Sequence, residues 1–165
     1  MALSPQVFGV RETVDELGKL EAKFKFQAIQ KMKKAAAPMA QAMEANFPEE
    51  APISGMAYGK FAWRGRPKLV VRYKAPSKYG TKSRYSNIWN LISILTPKGH
   101  HGAEMFDMAQ NGKLGAALTE RYGNASRAMW RVEDELKNRT QDAILDALEA
   151  YIREVQPGLS RVRRY

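Results

Sequence analysis

Cysteine is absent from this 165-residue chain. No disulfide can staple it, no thiolate can serve as a nucleophile, and zinc sites built on thiolates are excluded. Histidine is scarce: His100 and His101 are neighbours between Gly99 and Gly102, with Glu104 as the nearby carboxylate. That set falls short of the convergent donors a four-coordinate metal requires, so the pair reads as a solvated loop corner, and neither metal nor cofactor is expected. The sequence has no Gly-rich phosphate loop of the Walker type, no Gly-x-Ser-x-Gly elbow and no His-Glu-x-x-His, so the expectation is a protein that is not an enzyme. Long apolar runs are missing as well. The longest, near Ile88–Leu95, is far below the ~20 residues of a membrane span, and the opening Met-Ala-Leu-Ser-Pro lacks the basic and apolar regions of a secretory leader. A soluble product made in a cytoplasm, or a part of a larger particle, with no membrane partner, is the expectation.

One more absence is local. Between Ala51 and Ala103 there is no aspartate or glutamate, yet ten lysines and arginines occur there: Lys60, Arg64, Arg66, Lys68, Arg72, Lys74, Lys78, Lys82, Arg84 and Lys98. The flanks cancel, with seven basic and seven acidic residues before the block and ten of each after it, so the net charge of +10 resides in the middle of the sequence. An even spread of lysine serves solubility, whereas one acid-free cationic block directs a field toward a polyanion or an acidic partner.

What is present is patterned as helix, strands, helix. From Val14 apolar residues recur by threes and fours through Leu17, Leu20, Phe24, Ala28 or Ile29, Met32, Ala35, Met39, Met43 and Phe47, which is one stripe of a long amphipathic helix. Thr13 with Glu16 can cap its start, and Asn46-Phe47-Pro48 ends it. Pro38 lies inside the pattern and predicts a kink or break near Ala35–Pro38. The basic block is cut by Gly and Pro into strand-length pieces: Lys68–Lys74 is the best strand, Ala57–Arg64 and Asn87–Leu95 are candidate partners, and Ala75–Ser86 reads as a projecting basic β-loop. Helical pattern returns at Ala103–Ala109 and at Lys113–Tyr122, closed by Gly123-Asn124. Ser126 then caps a last amphipathic helix with Met129, Val132, Leu136, Ala143, Ile144, Ala147, Leu148, Tyr151, Ile152 and Val155 on one side, stopped at Pro157-Gly158. Its acids, Glu133, Asp134, Glu135, Asp142, Asp146 and Glu149, read as an ordinary charged face.

The fold class predicted is α+β: a small antiparallel β-sheet with long N-terminal and C-terminal amphipathic helices packed on it. A single domain is expected over 1–165, comprising a helix at about 13–47, a basic β-segment at about 53–96 with its loop at 75–86, a helical segment at about 103–155 and a basic tail at 157–165. Aromatic residues interleave the basic block at Tyr58, Phe61, Trp63, Tyr73, Tyr79, Tyr85 and Trp89; they fit a core better than base stacking, while the charges fit a surface facing nucleic acid or a negatively charged subunit.

The helix ending Ala45-Asn46-Phe47-Pro48, followed by Ser54-Gly55 opening a basic β-rich segment, resembles the neck, or head-to-tail connector, proteins of long-tailed bacteriophages. The run Gly102-Ala103-Glu104-Met105-Phe106-Asp107-Met108-Ala109, then Leu118, Arg121-Tyr122-Gly123 and Ser126-Arg127-Ala128-Met129-Trp130, is similar to versions from phages of actinobacteria. The likeness spans Val14–Val155; Lys78-Tyr79-Gly80-Thr81 stands where the family carries a Glu-Phe-Gly-Thr-like strand end. What the resemblance implies is a virion protein at the head–tail junction, forming a homo-oligomeric ring between the portal side of the capsid and the tail tube. Its partners would be other neck, portal-side and tail-tube proteins, with genome DNA passing through the lumen and touched non-specifically. Under that reading Lys74, Lys78, Lys82, Arg84, Arg161, Arg163 and Arg164 face the DNA channel or a partner, and Tyr79, Tyr85 and Trp89 lie at subunit contacts. A tail terminator capping the tube and a free nucleic-acid-binding module using the basic β-segment are the alternatives.

Overall fold

The computed structural model describes Val14 and residues 22–60, 62–73 and 92–162, with backbone alone for 156–162. Among these residues the elements are α1 (Ala22–Ala45), a short 3-10 helix (Ser54–Met56), strands β1 (Val70–Tyr73) and β2 (Ile92–Leu95), then α2 (His101–Met108), α3 (Gly112–Tyr122) and α4 (Met129–Val162). β1 and β2 pair as a two-stranded antiparallel sheet. The class is α+β, with the long N-terminal and C-terminal helices packed on each other and on the sheet.

Contacts divide the chain into two compact units. The first comprises Met1–Ala36, Val71–Ser93 and Arg139–Tyr165; the second comprises Ala37–Val70 and Ile94–Asn138. In the first, Ala28, Met32 and Ala36 of α1 bury against Ile144, Leu148 and Tyr151 of α4, together with Val14 and with Ile92 of β2. Val71 and Tyr73 of β1 pack beside them. Burying a side chain of the size of Met32, Ile144 or Leu148 contributes about 1.5–3 kcal/mol each. The Tyr151 hydroxyl and the Gln27 Oε1 are 2.8 Å apart, giving the same helix pair a polar tie at its edge.

α1 is rich in Ala, Lys, Gln and Met, all strong helix formers. It runs as one helix through Pro38, so of the expected kink or break the break does not occur. The imide nitrogen forfeits one backbone hydrogen bond, yet apolar residues are buried on both sides of it, Met32 and Ala36 before and Met39, Ala40, Met43 and Phe47 after. Ala36 rather than Ala35 is fully buried. The helix ends as expected: Asn46 and Phe47 donate to the carbonyls of Met43 and Glu44 at 3.2 and 3.1 Å.

In the second unit the aromatic rings form the core. Phe47 lies 5.9 Å from Phe106 and 6.4 Å from Trp63, centroid to centroid, and Phe106 meets Trp63 and Tyr122 edge-on at 5.8 and 5.2 Å. The segment from Phe47 to Leu69 is pinned around this cluster. Arg66 Nε donates to the Phe47 carbonyl at 3.0 Å, the Leu69 amide donates to Glu44 Oε1 at 2.6 Å, and Arg121 and Tyr122 both donate to the Pro52 carbonyl. The expected strand Ala57–Arg64 does not form among its described residues. Met56 closes a 3-10 turn, and Gly59 and Gly65 sit at φ of 86° and 83°, a left-handed geometry that bends the chain instead of extending it.

α2, α3 and α4 are joined by one buried polar knot. The Asp107 carboxylate accepts from the amides of Ala128 and Met129 at 2.6 and 3.2 Å, so it caps the start of α4. This corrects the expected cap: Ser126 has φ of 72° and its amide donates to the Asp107 carbonyl. Arg127, itself buried, donates to the carbonyls of Phe106, Ala109 and Gly123 and to Thr119 Oγ1. Its guanidinium lies over the Phe106 ring at 6.0 Å. Burial pushes the Arg127 pKa below its usual value, and the negative charge of Asp107 pulls it back up. α3 ends as expected, with Gly123 at φ of 83° donating to the Thr119 carbonyl. Within α3, a Cβ on Gly115 would stand 2.4 Å from the Gln110 carbonyl carbon, so that position admits glycine alone.

α4 continues helical through Pro157-Gly158 to Val162, past the expected stop. A proline there forfeits the single bond to the carbonyl of Arg153, and the long helix already in place before it needs no new nucleus to carry the turn onward. On its buried side Thr140 and Gln141 take places that the sequence pattern gave to Ala143, which is exposed.

Replacing Asp107 by alanine removes the cap and strips the buried Arg127 of its countercharge. We expect a loss of ~2–4 kcal/mol, read as a lower urea midpoint with an unchanged m-value.

Candidate interaction surfaces

Each sequence-predicted site residue has a definite place relative to the described structure. Lys74, Lys78, Lys82, Arg84, Tyr79, Tyr85, Trp89, Arg163 and Arg164 lie outside the described residues, as does the loop Ala75–Ser86. Arg161 falls within the helical span of α4. The other six cations of the acid-free block are described, and Lys60, Arg64, Arg66, Lys68, Arg72 and Lys98 are all exposed. Of these, Arg66 reaches Glu49 at 3.5 Å, an ion pair between two largely exposed side chains that contributes little to stability.

The aromatics of the block divide. Trp63 is half-buried against the rings of Phe47 and Phe106 and donates its indole N–H to the Glu49 carbonyl at 3.2 Å, whereas Tyr58 is 86% exposed. Tyr73 packs against the first unit's core. His101 is not in a loop corner: it is the first residue of α2, with its Nδ1 3.4 Å from Glu104 Oε2, and Glu104 Oε1 also accepts from Thr96 Oγ1 at 2.8 Å. These are local contacts at a helix start. No group of three or more His, Asp or Glu side chains placed to hold a metal occurs among the described residues. No helix among them is long and apolar enough to cross a membrane.

A shallow concavity of about 400 Å³ lies in the first unit, lined by Gln27, Gln30, Lys31 and Lys34 of α1 and by Tyr151 and Glu154 of α4. Lys31 and Glu154 face each other across it at 3.6 Å, both well exposed. Its lining is more apolar than polar, and it is open to solvent.

The surface that sequence reasoning missed is the outer side of α1. From Ala22 to Met43 there are five lysines and no acid. The first fifty residues sum to neutrality because their acids stand elsewhere, at Glu12, Asp15, Glu16, Glu21, Glu44, Glu49 and Glu50. An acid-free window was the available signal, and a sum over the first fifty residues hides it. The segments of the first unit hold seventeen lysines and arginines against eight acids, while those of the second hold ten against nine. The excess positive charge belongs to the unit built on α1 and α4.

No family model matches this chain, and no match to it is found among curated proteins or solved structures.

The packing role of Trp63 and the exposure of Tyr58 are separable by mutation. Trp63→Ala should lower stability by ~3 kcal/mol or more, and Tyr58→Ala should stay within about 0.5 kcal/mol of the parent chain, both measured by chemical denaturation.

Proposed function

We propose that this chain is a non-enzymatic structural protein of the neck of a long-tailed bacteriophage, one subunit of a ring joining the portal side of the capsid to the tail tube around the DNA channel. The observation that carries this reading is the outward placement of an acid-free cationic segment: each described lysine and arginine between Ala51 and Ala103 is exposed. A segment of one sign whose described cations are all exposed attracts a polyanion or an acidic neighbour, and a neck subunit has both, the genome inside the ring and other proteins around it.

Two further features support it. The short motifs that carry the likeness to neck proteins are the residues that knit the second unit: Phe47, Phe106, Tyr122 and Arg127 meet in its core, and Asp107 caps α4. A resemblance resting on residues that hold the fold together is a resemblance of architecture. The α+β arrangement, with long helices on a small sheet, also gives the subunit extended helix surface for contact with neighbours.

Mass spectrometry and electron microscopy of particles from a phage that encodes this chain test the proposal. The expected result is the chain in a fixed copy number per particle and, on deletion of its gene, filled heads and tails that fail to join. Particles that lack the chain and join normally would remove the reading.

A further inference from the structure

We propose that neighbouring subunits associate through two complementary charged helix faces: the lysine-bearing outer face of α1 on one copy docks against the acidic outer face of α4 on the next. This deepens the ring reading above and rests on it for the closure of the contacts into a ring.

The two faces share one geometry. At 3.6 residues per turn, Lys23, Gln27, Gln30 and Lys34 fall within about 60° of one another, opposite the buried Met32, and span about 16 Å. Lys31 lies on the flank of this stripe. On α4, Asp142, Asp146, Glu149 and Arg153 repeat the same spacing, so they too fill about 60° and about 16 Å, opposite the buried Tyr151, with the exposed Arg139 at the edge of the stripe one turn before Asp142. All but Gln27 are exposed. Arg153 is already engaged by Glu149 at 3.3 Å, which leaves Asp142 and Asp146 as the acids that meet no ion partner among the described residues. Lys23 and Lys34 likewise meet none there.

These faces cannot satisfy each other inside one chain. α1 and α4 meet through their apolar sides, Ala28, Met32 and Ala36 against Ile144, Leu148 and Tyr151; the α1 stripe borders the groove beside that contact, where Gln27 meets the Tyr151 hydroxyl, while Asp142 and Asp146 lie on the opposite side of α4 from Tyr151. Where the flanks approach, a lysine and a glutamate do pair, Lys31 with Glu154. The same chemistry is available between copies along the full stripe. Two different patches of opposite sign make a heterologous contact, which repeats from copy to copy and closes as a ring when the rotation allows. Opposite charge also sets partner choice and register, because like-charged faces repel. A DNA duplex could cover the α1 lysines alone, whereas a second copy carries both signs and can cover both faces.

The test is a charge swap on the full chain, read by sedimentation velocity at ~50 mM salt, where exposed charges are least screened. The parent chain is expected to self-associate, and to do so less at ~300 mM salt. Lys23→Glu with Lys34→Glu should weaken association by about tenfold or more, and Asp142→Lys with Asp146→Lys should do the same. A chain carrying all four substitutions reverses both faces and should recover to within about threefold of the parent. Circular dichroism establishes that each variant is folded, and the recovery itself cannot come from damage to the fold. A parent chain that stays monomeric, or a fourfold variant that does not recover, overturns the proposal. So does loss of duplex binding in the lysine variant with association unchanged, which would make DNA the occupant. If recovery fails while the chain is present in phage particles, this interface falls and the neck reading stands; if recovery succeeds while particles lack the chain, the reverse holds.

Discussion

α1 must keep a single apolar line in phase from Ala28 to Phe47, because that line supplies core residues to both compact units. Ala28, Met32 and Ala36 serve the first; Met39, Ala40, Met43 and Phe47 serve the second. Small and unbranched side chains make this possible, since alanine lets a neighbouring element approach closely and methionine fills what is left. The same constraint fixes the other side of the helix. With the apolar line turned inward, lysines and glutamines are held outward in a row, and no acid interrupts them until Glu44. The interior requirement of the helix thereby produces a surface with a sign.

In the second unit the corresponding constraint is polar. Arg127 is buried with four acceptors around it, and Asp107 caps α4 from the end of α2. A buried guanidinium with its donors engaged fixes the geometry of whatever supplies the acceptors. Here those are the ends of α2 and α3 and the loop before α4. This knot and the aromatic cluster of Phe47, Trp63, Phe106 and Tyr122 leave the second unit almost neutral and inwardly committed, while the first unit carries the charge.

The parts of this arrangement legible in the sequence are those set by local rules. Helical periodicity placed α1, α3 and α4, Gly123 marked the end of α3, and Asn46-Phe47-Pro48 marked the end of α1. Reading failed where a distant group decided the outcome. Ser126 had the composition of a cap, but the carboxylate that caps α4 comes from Asp107, twenty-one positions from Ala128. Ala57–Arg64 had strand composition, but Gly59 and Gly65 bend it and Trp63 is drawn into the aromatic cluster. Pro157-Gly158 had the composition of a stop, but α4 runs through it. The lysine row of α1 was hidden for another reason: charge was summed over a length that mixed it with acids from before and after the helix. The basic loop residues Lys74, Lys78, Lys82 and Arg84, which the sequence put forward first, lie outside the described residues, so the candidate surface now rests on α1 and α4.

The central claim is that these charged helix faces are covered by partners in an assembly instead of being left to water. Lysine acetylation followed by mass spectrometry, compared between the purified chain and intact phage particles, tests it most directly. The account predicts that Lys23 and Lys34 react freely in the purified chain and are strongly protected in particles. Equal reactivity of both lysines in the two samples would contradict it.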